Sequence, residues 1–179
     1  MSVALPESLD AWRMVSARRT FEGARALSRF ARLREALEVA GVDLVEGDCR
    51  YVLQFDRDAL GVAYLEIRAE AMLPLICQRT LDPFDLPVQI EQRLGLIARE
   101  DQEAGLPEGY EPVLVAADGF IDARSLLEDE LILAIPVVPS KPGTEAIELE
   151  VGADGEDSLQ IEEEPTQRPF AVLAALRKH

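Results

Sequence analysis

From Val62 to Leu73 the chain alternates without a break. Ala63, Leu65, Ile67, Ala69, Ala71 and Leu73 are apolar, and Tyr64, Glu66, Arg68 and Glu70 are interleaved with them. Successive side chains of a strand point to opposite faces, so this period of two predicts a strand with one buried and one wetted face. On a helix the same apolar set would wrap around the whole circumference, leaving no single stripe to bury. Phe84, Leu86, Val88 and Ile90 alternate in the same way with Asp85, Pro87, Gln89 and Glu91. Pro87 has no N–H to give a central ladder, so its strand is expected at an edge or with a bulge. The intervening stretch LPLICQRTLDPF is then a strand–turn–strand element. Tyr51, Leu53 and Phe55 supply an earlier strand through the turn-like DRDALG, which completes an antiparallel meander.

Helical periodicity brackets this meander. Residues 11–19 and 28–40 read as helices, the second with Ala26, Phe30, Leu33, Leu37 and Ala40 on one apolar stripe. Ser28 is its expected cap and Gly41 its stop. Arg25, Arg29 and Arg32 recur at the same spacing beside that stripe. Downstream, residues 99–111 read as a polar loop, Val113–Val115 as a short strand and Asp118–Gly119 as a turn. Asp122 is expected to cap a helix running to Ile135, with Pro136 ending it. From Ser140 to Arg168 nine acids face two bases, a composition that predicts a mobile acidic loop. The segment RPFAVLAALRKH reads as a short helix opened by Pro169, with Phe170, Leu173 and Leu176 on one face. The expected fold class is therefore α+β: an antiparallel β-meander sheet packed with helices, and an acidic mobile loop before a short C-terminal helix. One domain over residues 1–179 is expected, with 140–168 as its disordered acidic loop.

The chain has 179 residues, 48% of them apolar, enough for a sizeable core. Its longest apolar run, Leu131–Val138, is far too short to span a bilayer. The first twenty residues contain no apolar segment of the secretory kind, which places the protein in the cytoplasm as an expectation. The two cysteines, Cys49 and Cys77, and the single histidine, His179, cannot complete a tetrahedral zinc site. Neither metal nor cofactor is expected, nor a structural disulfide in a chain of this character. The net charge of −16 argues against a surface that coats nucleic acid throughout. Residues 1–34 nevertheless carry seven arginines against Glu7, Asp10 and Glu22, so the acid surplus lies entirely downstream.

Few residues bear candidate chemistry. Cys77 is followed by Gln78, Arg79 and Thr80, a C-x-x-C pattern without its second member. A reactive thiolate needs a cationic or helix-terminal setting, for which Arg79 is the one neighbour in sequence; packing as a small apolar residue is the favoured reading for Cys77, and more so for Cys49. Glu128, Asp129 and Glu130 stand together, but consecutive helical positions point in different directions. A solvated helix face or a contact with a basic partner suits them better than acid–base chemistry. Glu162–Glu164 read as solubilising charge, and DGEDSLQIEEEP fails as a calcium loop because Leu159 and Pro165 stand where glycine and glutamate are needed. No nucleophile elbow, phosphate loop, dinucleotide fingerprint or histidine triad is present. Arg25, Arg29 and Arg32 are the candidate phosphate-binding set, weighed against pairing with the protein's own acids.

The run LPEGYEPVLVAADGFIDARSLLEDELILAIPVVP, Leu106–Pro139, closely resembles the signature of the YceD family, the large ribosomal RNA subunit accumulation proteins. The ending RPFAVLAALRKH and the early LPESLDAWRM are similar as well, and LICQRTLDPF looks like that family's Cys-x-Arg-Cys segment. Cys77 and Arg79 match it, whereas Thr80 replaces the second cysteine and can be neither thiolate ligand nor disulfide partner. Glu128, Asp129, Glu130 and Pro136 fall within the long C-terminal motif. The resemblance implies a bacterial or chloroplast factor needed for normal levels of large-subunit rRNA, with genes that often neighbour that of a small basic ribosomal protein. It supplies no catalytic residue. The function it implies is a non-catalytic accessory factor that binds a large-subunit ribosomal protein or rRNA, with no membrane and no small-molecule substrate. The alternatives are a carboxylate-dependent hydrolase of rRNA precursors and a thiol-based sensor.

Overall fold

The computed structural model describes residues 5–42 and 45–143, all within one compact unit, Met1–Glu145. The expected acidic loop beyond Gly143 and the expected terminal helix lie outside the described residues.

Strand β1 (Leu9–Asp10) leads directly into helix α1 (Ala11–Ser16), whose first turn is capped by Asp10 accepting the Arg13 N–H at 2.9 Å. Strand β2 (Thr20–Ala26) follows, then a 3₁₀ turn (Leu27–Arg29) and helix α2 (Ala31–Val39). Gly41, at φ +91°, closes α2 with its N–H on the Glu38 carbonyl, the left-handed position that glycine adopts without strain. Strands β3 (Asp48–Arg57), β4 (Ala63–Ile76) and β5 (Pro83–Ile97) form the meander. A 3₁₀ stretch (Glu100–Gly105) precedes β6 (Glu111–Leu114) and β7 (Phe120–Ile121), and helix α3 (Ala123–Leu133) ends the described fold.

The main sheet has the order β2-β3-β4-β5-β6; β1 and β7 form a separate pair. Neighbours from β2 to β5 are antiparallel, and β6 joins parallel to β5. The α+β class and the meander stand as expected, and the hairpin strands run longer than the clean alternation. Two local expectations fail. Arg25 and Ala26, expected at the helical spacing of the second helix, lie on the edge strand Thr20–Ala26, and that helix starts at Ala31 with Ser28 in the preceding 3₁₀ turn. The apolar stripe is therefore split: Leu33 and Leu37 are buried on α2, Phe30 is buried at its start and Ala26 lies on β2.

One face of the sheet makes the core. Leu53, Phe55, Leu65, Ile67, Leu73 and Leu75 on β3 and β4 are fully buried, and Leu33, Leu37, Leu127 and Leu131 from α2 and α3 belong to the same cluster. Each such side chain contributes roughly 1.5–3 kcal/mol by leaving water. The opposite face carries charged pairs placed directly across the strands: Arg50 opposite Glu70, Arg68 opposite Glu91, and Arg93 opposite Glu66. No helix among the described residues is long and apolar enough to cross a membrane.

Candidate functional site

The structure gives the three expected arginines three different local settings. Arg25 lies on β2, Arg29 in the 3₁₀ turn and Arg32 on α2, so the single helical stripe of guanidiniums does not exist. Arg25 is half-buried; its Nη2 donates to the Arg29 carbonyl at 3.1 Å and its guanidinium sits 5.3 Å from the Phe30 ring centre. Arg32 is held by α3: it pairs with Asp129, donates to the Ser125 carbonyl at 3.0 Å, and its Nε lies 3.5 Å from Glu128 Oε2. Only Arg29 is exposed and makes no ion pair among the described residues.

The acidic trio parts in three directions, as helical geometry requires. Glu128, only 7% exposed, is not part of a solvated face. Its Oε1 accepts the N–H groups of Arg32 at 2.7 Å and Leu33 at 3.1 Å. Phe30, the residue before α2, offers no side-chain cap, so a carboxylate from a distant helix satisfies donors that every helix start leaves open. Asp129 completes the pairing with Arg32. The Glu130 carboxyl is pushed up by burial and by the neighbouring charges of Glu111 and Asp129. Asp122 caps α3 as expected, accepting the N–H groups of Arg124 and Ser125, each at 3.0 Å, and Pro136 lies just past its end.

Cys77 directly follows β4 and opens the hairpin turn, with its N–H on the Asp82 carbonyl at 2.9 Å and its carbonyl accepting the Leu81 N–H at 2.8 Å. The strand–turn–strand reading holds. Its thiol is buried but polar in its surroundings: the Lys141 N–H donates to Sγ at 3.4 Å. That donor, then the Thr80 hydroxyl and N–H and the Arg79 N–H, bring it down from 9.0 to about 6. The favoured reading of Cys77 as a small apolar packing residue thus accounts for its burial but not for its surroundings, which are backbone N–H groups and the hydroxyl of the residue that stands in for the second cysteine. Cys49 is buried without such donors and is pushed up to about 12. A thiol depressed in the fold stabilises it as thiolate, fully above the unfolded value and not at all below the folded one. Melting temperature measured against pH is therefore expected to fall more steeply for wild type than for Cys77→Ser as pH drops from 9 towards 6. Parallel curves would remove the thiolate.

A polar network on the open face of the sheet escaped sequence reading. Glu66, 6% exposed, takes Arg68 Nη2 at 3.0 Å and Arg93 Nη2 at 3.1 Å. Arg93 lies over both Tyr64, at 4.9 Å, and Tyr110, at 5.6 Å. The Tyr110 hydroxyl donates to Asp58 Oδ2 at 3.0 Å. Burial raises the Tyr110 phenol, with Asp58 adding to the effect. Burial likewise pulls Asp58 up, but the N–H groups of Val62, Leu60 and Gly61 and the Tyr110 hydroxyl outweigh it and leave the carboxyl lowered. Leu106 lies over Gly95, where a Cβ would come within 2.7 Å of it, so the segment before β6 folds closely across this end of the sheet. The available signal was the opposition of Glu66 and Arg93 on adjacent strands, which needs the register and not merely the alternation. Among the described residues no group of three or more His, Cys, Asp or Glu side chains is placed to hold a metal ion.

A mixed sheet with one helix-covered face and one ion-paired face defines an α+β protein. The chain belongs to the YceD family: the model of that family, described as large ribosomal RNA subunit accumulation protein YceD, matches residues 65–177. A protein of Haemophilus influenzae called large ribosomal RNA subunit accumulation protein YceD is 32% identical over 178 residues, covering 98% of each chain. No solved structure matches the chain.

Proposed function

We propose that this protein is a non-catalytic accessory factor in large-ribosomal-subunit biogenesis, supporting accumulation of large-subunit rRNA by binding a basic protein of that subunit. The process comes from the family. The choice of partner is carried by the fate of the arginines. Two of the three guanidiniums assigned to phosphate binding are engaged inside the molecule, while the net charge is −16 and carboxylates such as Asp85 and Glu108 stay exposed. A surface of this sign attracts cationic partners and repels polyanions.

Deletion of the gene is expected to lower large-subunit rRNA relative to small-subunit rRNA, with recovery when the chain is supplied in trans; unchanged rRNA would overturn the reading. Arg25→Gln with Arg29→Gln tests the rival contact and leaves the Arg32 pairings in place. The double variant is expected to keep its stability within about 1 kcal/mol, because exposed charges and a partly exposed cation–π contact are worth little. Rescue in the deletion strain is expected to be unchanged. Loss of rescue, together with weaker binding to large-subunit rRNA fragments and a salt slope flatter by ~0.7–0.9 per lost phosphate contact, would replace the basic protein by rRNA.

A further inference from the structure

Strand β5 has a neighbour on its outer side only where β6 runs beside it, at Leu94–Ile97. From Pro83 to Arg93 that side has none among the described residues. What it offers follows from the hairpin register. Cys77 donates to the Asp82 carbonyl, which makes 77–82 a hydrogen-bonded pair. Hydrogen-bonded and non-hydrogen-bonded pairs alternate along an antiparallel ladder. Ile76–Pro83, Pro74–Asp85 and Met72–Pro87 therefore all belong to the set whose backbone groups face away from the partner strand. Three prolines sit in that set, where a missing N–H costs the hairpin nothing.

The same alternation sends the N–H groups of Asp85, Gln89 and Glu91, and the carbonyls of Asp85, Pro87, Gln89 and Glu91, to the free side. All four residues are exposed, and no backbone hydrogen bond reaches these groups from elsewhere among the described residues. Pro87 interrupts the donor row once, so the edge is weakened against random pairing without being closed. Its side chains carry a sign. Asp82, Asp85 and Glu91 flank it, and Glu108 and Glu111 stand where the chain enters β6. Of the nearby cations, Arg93 is tied to Glu66, and Arg68 bridges Glu66 and Glu91, its Nε 3.5 Å from Glu91 Oε1, so Asp82, Asp85, Glu108 and Glu111 carry most of the sign. At its upper end the edge opens into a cleft of about 270 Å³ lined by Glu66, Glu91, Gln92, Arg93, Glu108 and Tyr110 among others, a size suited to one long side chain.

We propose that this free edge of β5 docks an extended segment of a partner protein bearing lysine or arginine at alternate positions, added to the sheet as a further strand. The proposal rests on the reading that the chain acts by binding a basic protein, and it names the surface. Backbone pairing supplies the attachment and alternate side chains the selectivity. Cationic residues on the open face of the incoming strand lie against Asp85 and Glu91, and one of them reaches the cleft.

The probe is a ten-residue peptide of alternating lysine and valine, titrated against the full chain. Its controls are the glutamate–valine peptide and a lysine–valine peptide N-methylated at alternate residues. The lysine peptide is expected to bind, the other two at least tenfold more weakly. Hydrogen exchange is expected to show the Gln89 and Glu91 amides slowed in the complex. Gln89→Pro removes an outward N–H and is expected to weaken binding at least tenfold; Asp85→Lys with Glu91→Lys tests the charge should the proline variant fold poorly. Equal binding of the lysine and glutamate peptides, or binding that survives N-methylation, overturns the proposal. So does self-association of the chain that Gln89→Pro abolishes, which would make a second copy the occupant, and so does protection of these amides by an rRNA fragment instead of the peptide. Failure of peptide docking leaves the accumulation role standing, whereas normal rRNA after gene loss removes that role and leaves the docking measurement intact.

Discussion

Replacing Glu128 with alanine is expected to destabilise the fold by about 2–4 kcal/mol, the range for breaking a buried charge pair that also caps a helix. The carboxylate is covered, and its Oε1 is the acceptor for two N–H groups at the start of α2. Truncation leaves those donors without a partner away from water and separates α2 from the helix that holds it. Glu128→Gln keeps one acceptor oxygen but loses the charge opposite Arg32, and is expected to cost about half as much. Because Arg32 shares the contact, adding Arg32→Ala to Glu128→Ala is expected to cost less than the sum of the two single changes. Urea melts read all of this as a lower midpoint at unchanged slope. A loss below about 0.5 kcal/mol for Glu128→Ala would mean that the cap is not formed, since surface substitutions fall in that range.

How far the sequence led is best seen along the arginines. The central strands were legible because alternation is a local signal: β4 buries every second residue from Ile67 to Leu75, and from Phe84 to Ile90 in β5 every second residue is the more covered one. α3 was legible for a similar reason, with Asp122, the apolar spacing and Pro136 all agreeing. The segment from Thr20 to Ala26 carries no such agreement. Its sequence TFEGARA contains a glycine and small residues, alternates weakly and sits on an edge, while its arginine falls by chance at helical spacing from Arg29 and Arg32. Pairing with β3 decided the matter, and Phe21 opposite Leu53 and Arg25 opposite Cys49 are contacts no local window contains. Glu128 shows the same limit from the other side. Its helix and its neighbours were readable, but the donors it serves are 95 and 96 residues away. The polarity around Cys77 depends likewise on Lys141, which arrives from beyond α3. Non-local contacts assigned the roles; local pattern assigned the elements.

The second large effect concerns the other buried carboxylate. Glu66→Ala is expected to cost about 2 kcal/mol, less than the loss at Glu128, because its two guanidinium partners retain access to water. The side chains of Arg68 and Arg93 are 54% and 42% exposed, so neither is stranded in a dry interior. What is lost besides the pairing is position. Glu66 fixes Arg93, Arg93 lies over the rings of both Tyr64 and Tyr110, and Tyr110 reaches Asp58 across the end of the hairpin. Without the carboxylate, Arg93 is free to turn to the exposed acids beside it, and the segment carrying Leu106 and Tyr110 loses one of its ties to the sheet. The damage should therefore be local as well as global. Hydrogen exchange is expected to rise first in residues 106–114 and in the outer residues of β5, while the amides of α1 and of β2–β3 keep their order of protection. Glu66→Gln, which can still accept from one arginine, is expected to lie between. Uniform loss of protection across the sheet in Glu66→Ala would show the network to be part of the core's cooperative unit rather than a clasp at its edge, and an unchanged exchange pattern would show that Leu106 over Gly95 holds the segment without it.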